Sequence, residues 1–123
     1  MILVDTSVWI AFFRGAQSGK ALSRFLEEDA VLVHPWVTGE LMLGTLGPKR
    51  EEILSDLGRL PAAPLVDFEE IRALVTSRRL AGTGIGWVDA QLVGSALVAG
   101  ATLWTFDTKL AKVATRLRTA FTA

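Results

Sequence analysis

Three carboxylates stand alone in stretches of chain that otherwise carry no charge. Asp5 is the only charged side chain before Arg14, Glu40 the only one between Asp29 and Lys49, and Asp89 the only one between Arg79 and Asp107. A carboxylate taken partly out of water with no cation beside it costs several kcal/mol, by order of magnitude, and none of the three has a basic residue within a helical turn. Capping of helices is the simplest structural role for such acids, and Asp5 and Asp107, at strand-to-helix junctions, suit it. Glu40, in the middle of an apolar helix, does not. If the four acids converge, they cannot all ionise without a compensating cation. The chain has no cysteine and one histidine, so the donors are oxygens, and oxygens select a hard ion, Mg²⁺ or Mn²⁺. Such an ion shares its shell with phosphate oxygens, which points to phosphoryl transfer or phosphodiester hydrolysis.

The elements that must carry these acids can be read from apolar runs and punctuation. Ile2-Leu3-Val4 is a short run of the kind that fills a buried strand, with Thr6 or Ser7 as a cap for a helix over 8–13. A second helix is expected over 18–28 and a strand over 30–33. Pro35 then opens a helix to Leu46 that is apolar almost all round and is expected to be buried. A charged helix over 48–59, a brief strand over 64–66 and a helix from the Asp67 cap to Leu80 follow. The segment Gly82-Thr83-Gly84-Ile85-Gly86 follows a helix and lacks phosphate-loop spacing and its lysine, so it reads as a hinge before a helix over 87–99, whose N-terminus could assist an anion near Asp89. A strand over 101–105, a helix over 107–117 and a last edge strand over 120–122 complete the chain. Strands alternating with helices define a compact α/β fold with a mainly parallel sheet covered on both faces. In such sheets sites lie outside the carboxyl ends of the strands, where Asp5 and Asp107 fall.

The 123 residues are half apolar, with 21% charged, four Trp and six Phe, and make one globular domain over 1–123. Without cysteine, disulfides, thiolate nucleophiles and structural zinc sites are excluded. His34, between a strand and Pro35, reads as a structural strand-end residue and not a general base. The start Met-Ile-Leu-Val-Asp has no basic leader region and no apolar stretch reaches membrane length, so a cytoplasmic protein is expected. Thirteen basic side chains balance 13 acidic ones, a sum that by itself counts against a nucleic-acid substrate. The balance is uneven along the chain, however: residues 1–71 carry 6 basic and 11 acidic side chains, and residues 72–123 carry 7 and 2.

Val4-Asp5-Thr6-Ser7 at the start, Thr38-Gly39-Glu40-Leu41 after the second strand, Val88-Asp89-Ala90 opening the long helix and Leu103-Trp104-Thr105-Phe106-Asp107 ending a strand together resemble the PIN-domain ribonucleases. Within that family they resemble the VapC toxins of bacterial toxin–antitoxin pairs. The resemblance covers the chain in order, spacing and length. It implies a PIN-like three-layer α/β/α fold with a short, mainly parallel central sheet. It implies an acidic quartet of Asp5, Glu40, Asp89 and Asp107, with Asp5 and Asp89 as direct ligands of Mg²⁺ or Mn²⁺ and with Thr6 and Thr105 supporting the acids. It further implies an endoribonuclease acting on tRNA or ribosomal RNA, a homodimer, and a VapB-type antitoxin that blocks the acidic groove with a basic side chain. Arg14, one helix beyond Asp5, and Lys109, two residues beyond Asp107, are the candidates for RNA phosphates. Some relatives carry another acid or amide shortly after the fourth Asp; here Thr108-Lys109-Leu110 follow. The alternatives are a catalytically silent PIN-fold module that binds RNA or a partner, and a receiver-like phosphoacceptor domain. The latter needs adjacent acids after the first strand, where this chain has Thr6-Ser7, and an acceptor Asp ending a middle strand, whereas Asp56 lies inside a helix.

Overall fold

The computed structural model describes residues 1–122. Three short strands, β1 (Ile2–Val4), β2 (Val31–Leu32) and β3 (Thr102–Trp104), form a parallel sheet in the order β2-β1-β3. Ile2 pairs with Val31 on one side and Thr102 on the other, and Val4 pairs with Trp104. Every residue of β1 is buried, as a central strand covered on both faces requires. The helices α1 (Thr6–Phe13) and α2 (Leu22–Glu27) join β1 to β2. The helices α3 (Pro35–Leu43), α4 (Arg50–Leu57), α5 (Phe68–Ser77) and α6 (Trp87–Ala99) join β2 to β3, and α7 (Thr108–Arg116) follows β3. Because β2 and β3 flank β1, right-handed crossovers run in opposite directions across the sheet and place the two sets of helices on opposite faces.

Several elements differ from expectation for identifiable reasons. The helix expected over 18–28 is a 3-10 turn at Gln17–Gly19 followed by α2. A Cβ at Gly19 would collide with the backbone of Ala11 and Phe12, so the turn is pressed onto α1 as only glycine permits. The segment 64–66 is not a strand. Its backbone is satisfied by side chains of α6: Val66 N–H donates to Gln91 Oε1 at 2.9 Å, Gln91 Nε2 donates to Val66 O at 2.8 Å, and Ser95 Oγ donates to Pro64 O at 2.6 Å. The parallel bridge in this region lies at Ala62, opposite Val33. The last edge strand reduces to one parallel bridge between Ala120 and Leu103.

The third helix ends at Leu43, and it is not the buried element. Only Val37 and Leu41 are buried in it, while Trp36, Met42 and Leu43 are exposed. The helix that runs through the interior is α6, buried without a break from Ala90 to Ala96. Gly94 permits its approach to α5, since a Cβ there would meet Ile71 Cδ1 at 2.5 Å.

Gln91, 2% exposed, ties the 64–66 segment to α6 through both ends of its amide. Gln91→Leu preserves the volume and strips both hydrogen bonds, leaving a buried N–H and C=O without partners. Urea denaturation should show a loss of about 2–3 kcal/mol, given about 1–3 kcal/mol for each orphaned group; an unchanged midpoint would show that water replaces the amide.

Candidate active site

The carboxyl ends of β1 and β3 set the site. The β1–β3 ladder continues one step beyond the strands, with Asp5 N–H donating to Trp104 O at 2.9 Å, so Asp5 is fixed by backbone before its side chain makes any contact. Asp5 occupies the N-cap of α1 without capping it through its side chain, and neither Thr6 nor Ser7 caps that helix either. All three side chains are used elsewhere. Asp5, only 7% exposed, accepts at Oδ2 from Thr105 Oγ1 (2.7 Å) and Ser7 Oγ (2.8 Å). Thr6 Oγ1 donates to Glu40 Oε1 at 2.7 Å, which ties α3 to the start of α1.

Asp89 and Asp107 are both helix-terminal acids. Asp89 Oδ2 accepts from Gly86 N–H (3.0 Å), reaching back from the first turn of α6 to the backbone of its N-cap residue. Asp107 Oδ1 accepts from Leu110 N–H (2.9 Å) and caps α7. Capping therefore accounts for one oxygen of each. Across the four acids a single pattern holds: one oxygen is held by a neutral donor, and among the described residues the other, Asp5 Oδ1, Glu40 Oε2, Asp89 Oδ1 and Asp107 Oδ2, has no protein hydrogen-bond donor. None of the four takes part in an ion pair among the described residues; the pairs that form, such as Arg24 with Glu28 and Arg59 with Asp56, lie elsewhere.

The charges sense one another. Burial raises the pKa of Asp89 above the ordinary carboxylate value; the Gly86 N–H opposes the rise, and the negative charges of Asp5 and Asp107 add to it. Among the described residues no three acids form a ready-made metal cage. The donor set nonetheless fits a hard divalent cation: oxygens only, no ion pair among the described residues, and one open oxygen per acid. Mg²⁺ in particular retains several waters and takes only one or two carboxylates directly, so a loose acidic rim suits it better than a closed shell.

Ser7 is the participant that sequence reasoning missed. Its hydroxyl donates to Asp5 and accepts from Phe106 N–H at 3.1 Å, and it lies 3.5 Å from Thr105 Oγ1. Thr105 Oγ1 in turn accepts from Asp107 N–H at 3.0 Å. Ser7 and Thr105 thus bridge the ends of β1 and β3. The available signal was the run of two hydroxyls after Asp5, whose successive side chains must diverge, one to Glu40 and one to Thr105. Arg14 lines a cavity of about 350 Å³ with Ile10, Phe13, Glu40 and Leu41. Lys109 lines another of about 280 Å³, between the 82–86 loop and α7.

His34 lies outside the site. It is fully buried, and its Nδ1 accepts from Trp36 N–H at 3.0 Å to cap α3, while Nε2 has no hydrogen-bond partner among the described residues. Burial lowers its pKa from the usual 6.5, and the nearby Gln91 side chain offsets this only in part.

A parallel α/β sheet with unpaired acids at its carboxyl edge is the arrangement of a PIN domain. The PIN-domain family model matches residues 2–116, and the chain belongs to that family. It is 48% identical over 111 residues, 89% of its own length and 87% of the relative's, to the protein named Ribonuclease VapC32 in Mycobacterium tuberculosis strains CDC 1551 / Oshkosh and ATCC 25618 / H37Rv. Among solved structures it matches a chain in the crystal structure of FitAcB from Neisseria gonorrhoeae, with a TM-score of 0.59, 24% identity and 94% of each chain covered, a likeness of fold. PIN-domain ribonucleases are in general dependent on a divalent metal ion.

Two predictions follow from these environments. In metal-free buffer Asp89→Asn removes one like charge yet keeps an acceptor for Gly86 N–H, so the melting temperature should rise by about 1–3 °C; Asp107→Ala deletes a cap and should lower it by about 3 °C. Calorimetry showing a fall for Asp89→Asn would mean that its charge is not strained. For His34, the unfolded chain binds a proton below about pH 6.5 and the folded chain resists it, so stability is complete above that value and declines as pH falls toward the lowered folded pKa. His34→Asn, which keeps a capping acceptor, should flatten the decline in urea midpoints between about pH 7 and about pH 5.

Proposed function

We propose that this chain is a divalent-metal-dependent endoribonuclease and the toxin of a VapBC-type toxin–antitoxin pair, hydrolysing phosphodiester bonds in RNA, with tRNA or ribosomal RNA as the substrate class. The supporting observation is the set of four carboxylates that each spend one oxygen on the protein and leave the other open, none of them in an ion pair among the described residues. The 48% identity to a protein named as a ribonuclease over most of the chain supports the same reading.

Asp5 and Asp89 are the direct ligands of Mg²⁺ or Mn²⁺ in this reading, with Glu40 and Asp107 completing the acidic set. When bound, the cation compensates the carboxylates and acts as a Lewis acid toward a phosphodiester oxygen. The chain's own contribution is orientation. Thr105 and Ser7 fix Oδ2 of Asp5, Thr6 fixes Glu40, and the Gly86 and Leu110 N–H groups fix Asp89 and Asp107. The N-termini of α6 and α7 both open at these acids, so their dipoles favour an approaching anion. Arg14 and Lys109 contact RNA phosphates on either side.

The antitoxin partner is a VapB-type protein whose basic side chain competes for the same open oxygens. The chain acts as a homodimer, supported by the apolar side chains Leu43, Leu65, Phe68 and Trp87 that it leaves exposed. No helix among the described residues is long and apolar enough to cross a membrane, in keeping with a cytoplasmic nuclease. A catalytically silent RNA-binding module is the second reading, and the activity assay separates the two.

Purified protein should cut RNA with Mg²⁺ or Mn²⁺ and stop on addition of EDTA. Asp5→Ala and Asp89→Asn should both reduce cleavage to background, and Thr105→Val, which removes a hydroxyl behind Asp5, should cost about 10–100-fold. Full activity in both acid variants would overturn the site, and absence of cleavage under all metals would leave the silent module.

A further inference from the structure

The cavity beside Lys109 has walls that also carry the acids. One wall is the 82–86 loop, which ends at the Gly86 N–H that holds Asp89. The other is α7, which begins at the Asp107 cap. The cavity, about 280 Å³, is lined by Thr83, Lys109, Lys112, Val113 and Arg116. Its three cations recur on one face of α7 at the i, i+3, i+7 spacing of a helical stripe.

Three features set this stripe apart from an ordinary solvated helix face. First, Lys109, Lys112 and Arg116 form no ion pair among the described residues. From residue 72 to residue 123 the only acids are Asp89 and Asp107, both of them in the candidate site. Second, Arg116 is held in place: its Nη2 donates to Arg78 O (2.8 Å) and Arg79 O (3.3 Å) at the end of α5. Both Nη2 protons are thereby used, while Nε and Nη1 remain available. Third, the loop makes room for Lys109. Gly84 has φ +86°, and a Cβ there would lie 2.7 Å from Lys109 Cδ. Thr83 turns its hydroxyl inward to Leu80 O at 2.6 Å, so recognition in the cavity falls to the cations.

We infer that this cavity is a subsite for the sugar-phosphate backbone of the RNA strand being cut, holding the phosphates next to the cleaved bond through Lys109, Lys112 and Arg116. The inference rests on the ribonuclease reading for its substrate and adds the path the strand takes away from the acids. The subsite binds the strand in ground and transition states alike, so its loss raises KM and leaves kcat unchanged. It reads no base, so its contribution is independent of sequence and falls with salt.

The test uses the full chain, a labelled single-stranded RNA, and two variants. Lys112→Gln removes an exposed cavity cation that makes no structural contact. Arg59→Gln removes a surface cation on another element, paired with Asp56. Binding is followed by fluorescence anisotropy in EDTA across a range of salt, and cleavage kinetics are measured with Mg²⁺. Lys112→Gln should flatten the slope of log K against log salt by about 0.7, the share of one phosphate contact on a single strand. It should raise KM with kcat unchanged, and Arg59→Gln should do neither. An unchanged slope for Lys112→Gln, an equal change in both variants, or loss of affinity for an acidic polypeptide but not for RNA would overturn the subsite. If Lys112→Gln shows the expected slope difference from the wild type but neither protein cuts RNA, the nuclease reading falls and the cavity stands as an RNA-backbone site without a cleaved bond beside it.

Discussion

A carboxylate at the end of a parallel strand, buried and facing other carboxylates, is the constraint around which this molecule is arranged. Asp5 is almost wholly removed from water, and the effective penalty for a buried ion is several kcal/mol, by order of magnitude. The usual remedy, an ion pair with Arg or Lys, is absent among the described residues. Two hydroxyls and the backbone position of α1 take its place, and these neutral donors stabilise the charge without cancelling it. A cationic side chain would have satisfied Asp5 permanently and closed the site. Neutral donors leave a net negative rim that something positive must complete.

The supporting contacts form one chain across the end of the sheet. Glu40 is tied to Thr6, Asp5 to Ser7 and Thr105, and Thr105 to the Asp107 N–H. Each link joins a different element: α3 to α1, β1 to β3, and β3 to α7. The same side-chain hydroxyls that hold the acids therefore lock the layers of the fold together. A substitution such as Thr105→Val is felt both in the orientation of Asp5 and in the junction leading to α7. Function and folding share atoms here, which is why the site needs so few residues.

Much of this was legible in the sequence because isolation of charge is a local property. Asp5, Glu40 and Asp89 stand out by what surrounds them and Asp107 by its place at the end of a strand, and the alternation of short apolar runs with helical segments defines the α/β fold. What escaped was decided by contacts between distant segments. The 64–66 segment has an apolar run suited to a strand, but Gln91 and Ser95 of α6 reach its backbone first, and no local pattern announces that. The third helix is apolar on all sides, which sequence reading equates with burial; Leu43 is nonetheless 92% exposed. Apolar composition specifies that a surface avoids water, and does not say whether the fold or another chain covers it. Ser7 shows a finer limit. Its hydroxyl could have capped α1, and only the proximity of Asp5 and Thr105 turns it inward.

The zero net charge conceals a field with direction. Acids dominate the first 71 residues and bases the remainder, yet the acids of the site come from both parts. Asp89 and Asp107 are set into the basic half at the N-termini of α6 and α7, where helix dipoles add to the positive surroundings. The cations of α7 begin beside the acidic rim, since Lys109 follows Asp107 by only two residues. Attraction and repulsion are thus placed side by side and not averaged. A uniformly basic surface would bind RNA without selecting a point along it. In the nuclease proposed above, a basic stripe that ends at an acidic rim would hold the strand and leave one place where binding is unfavourable until a divalent cation is present, and the bond would be broken at that place.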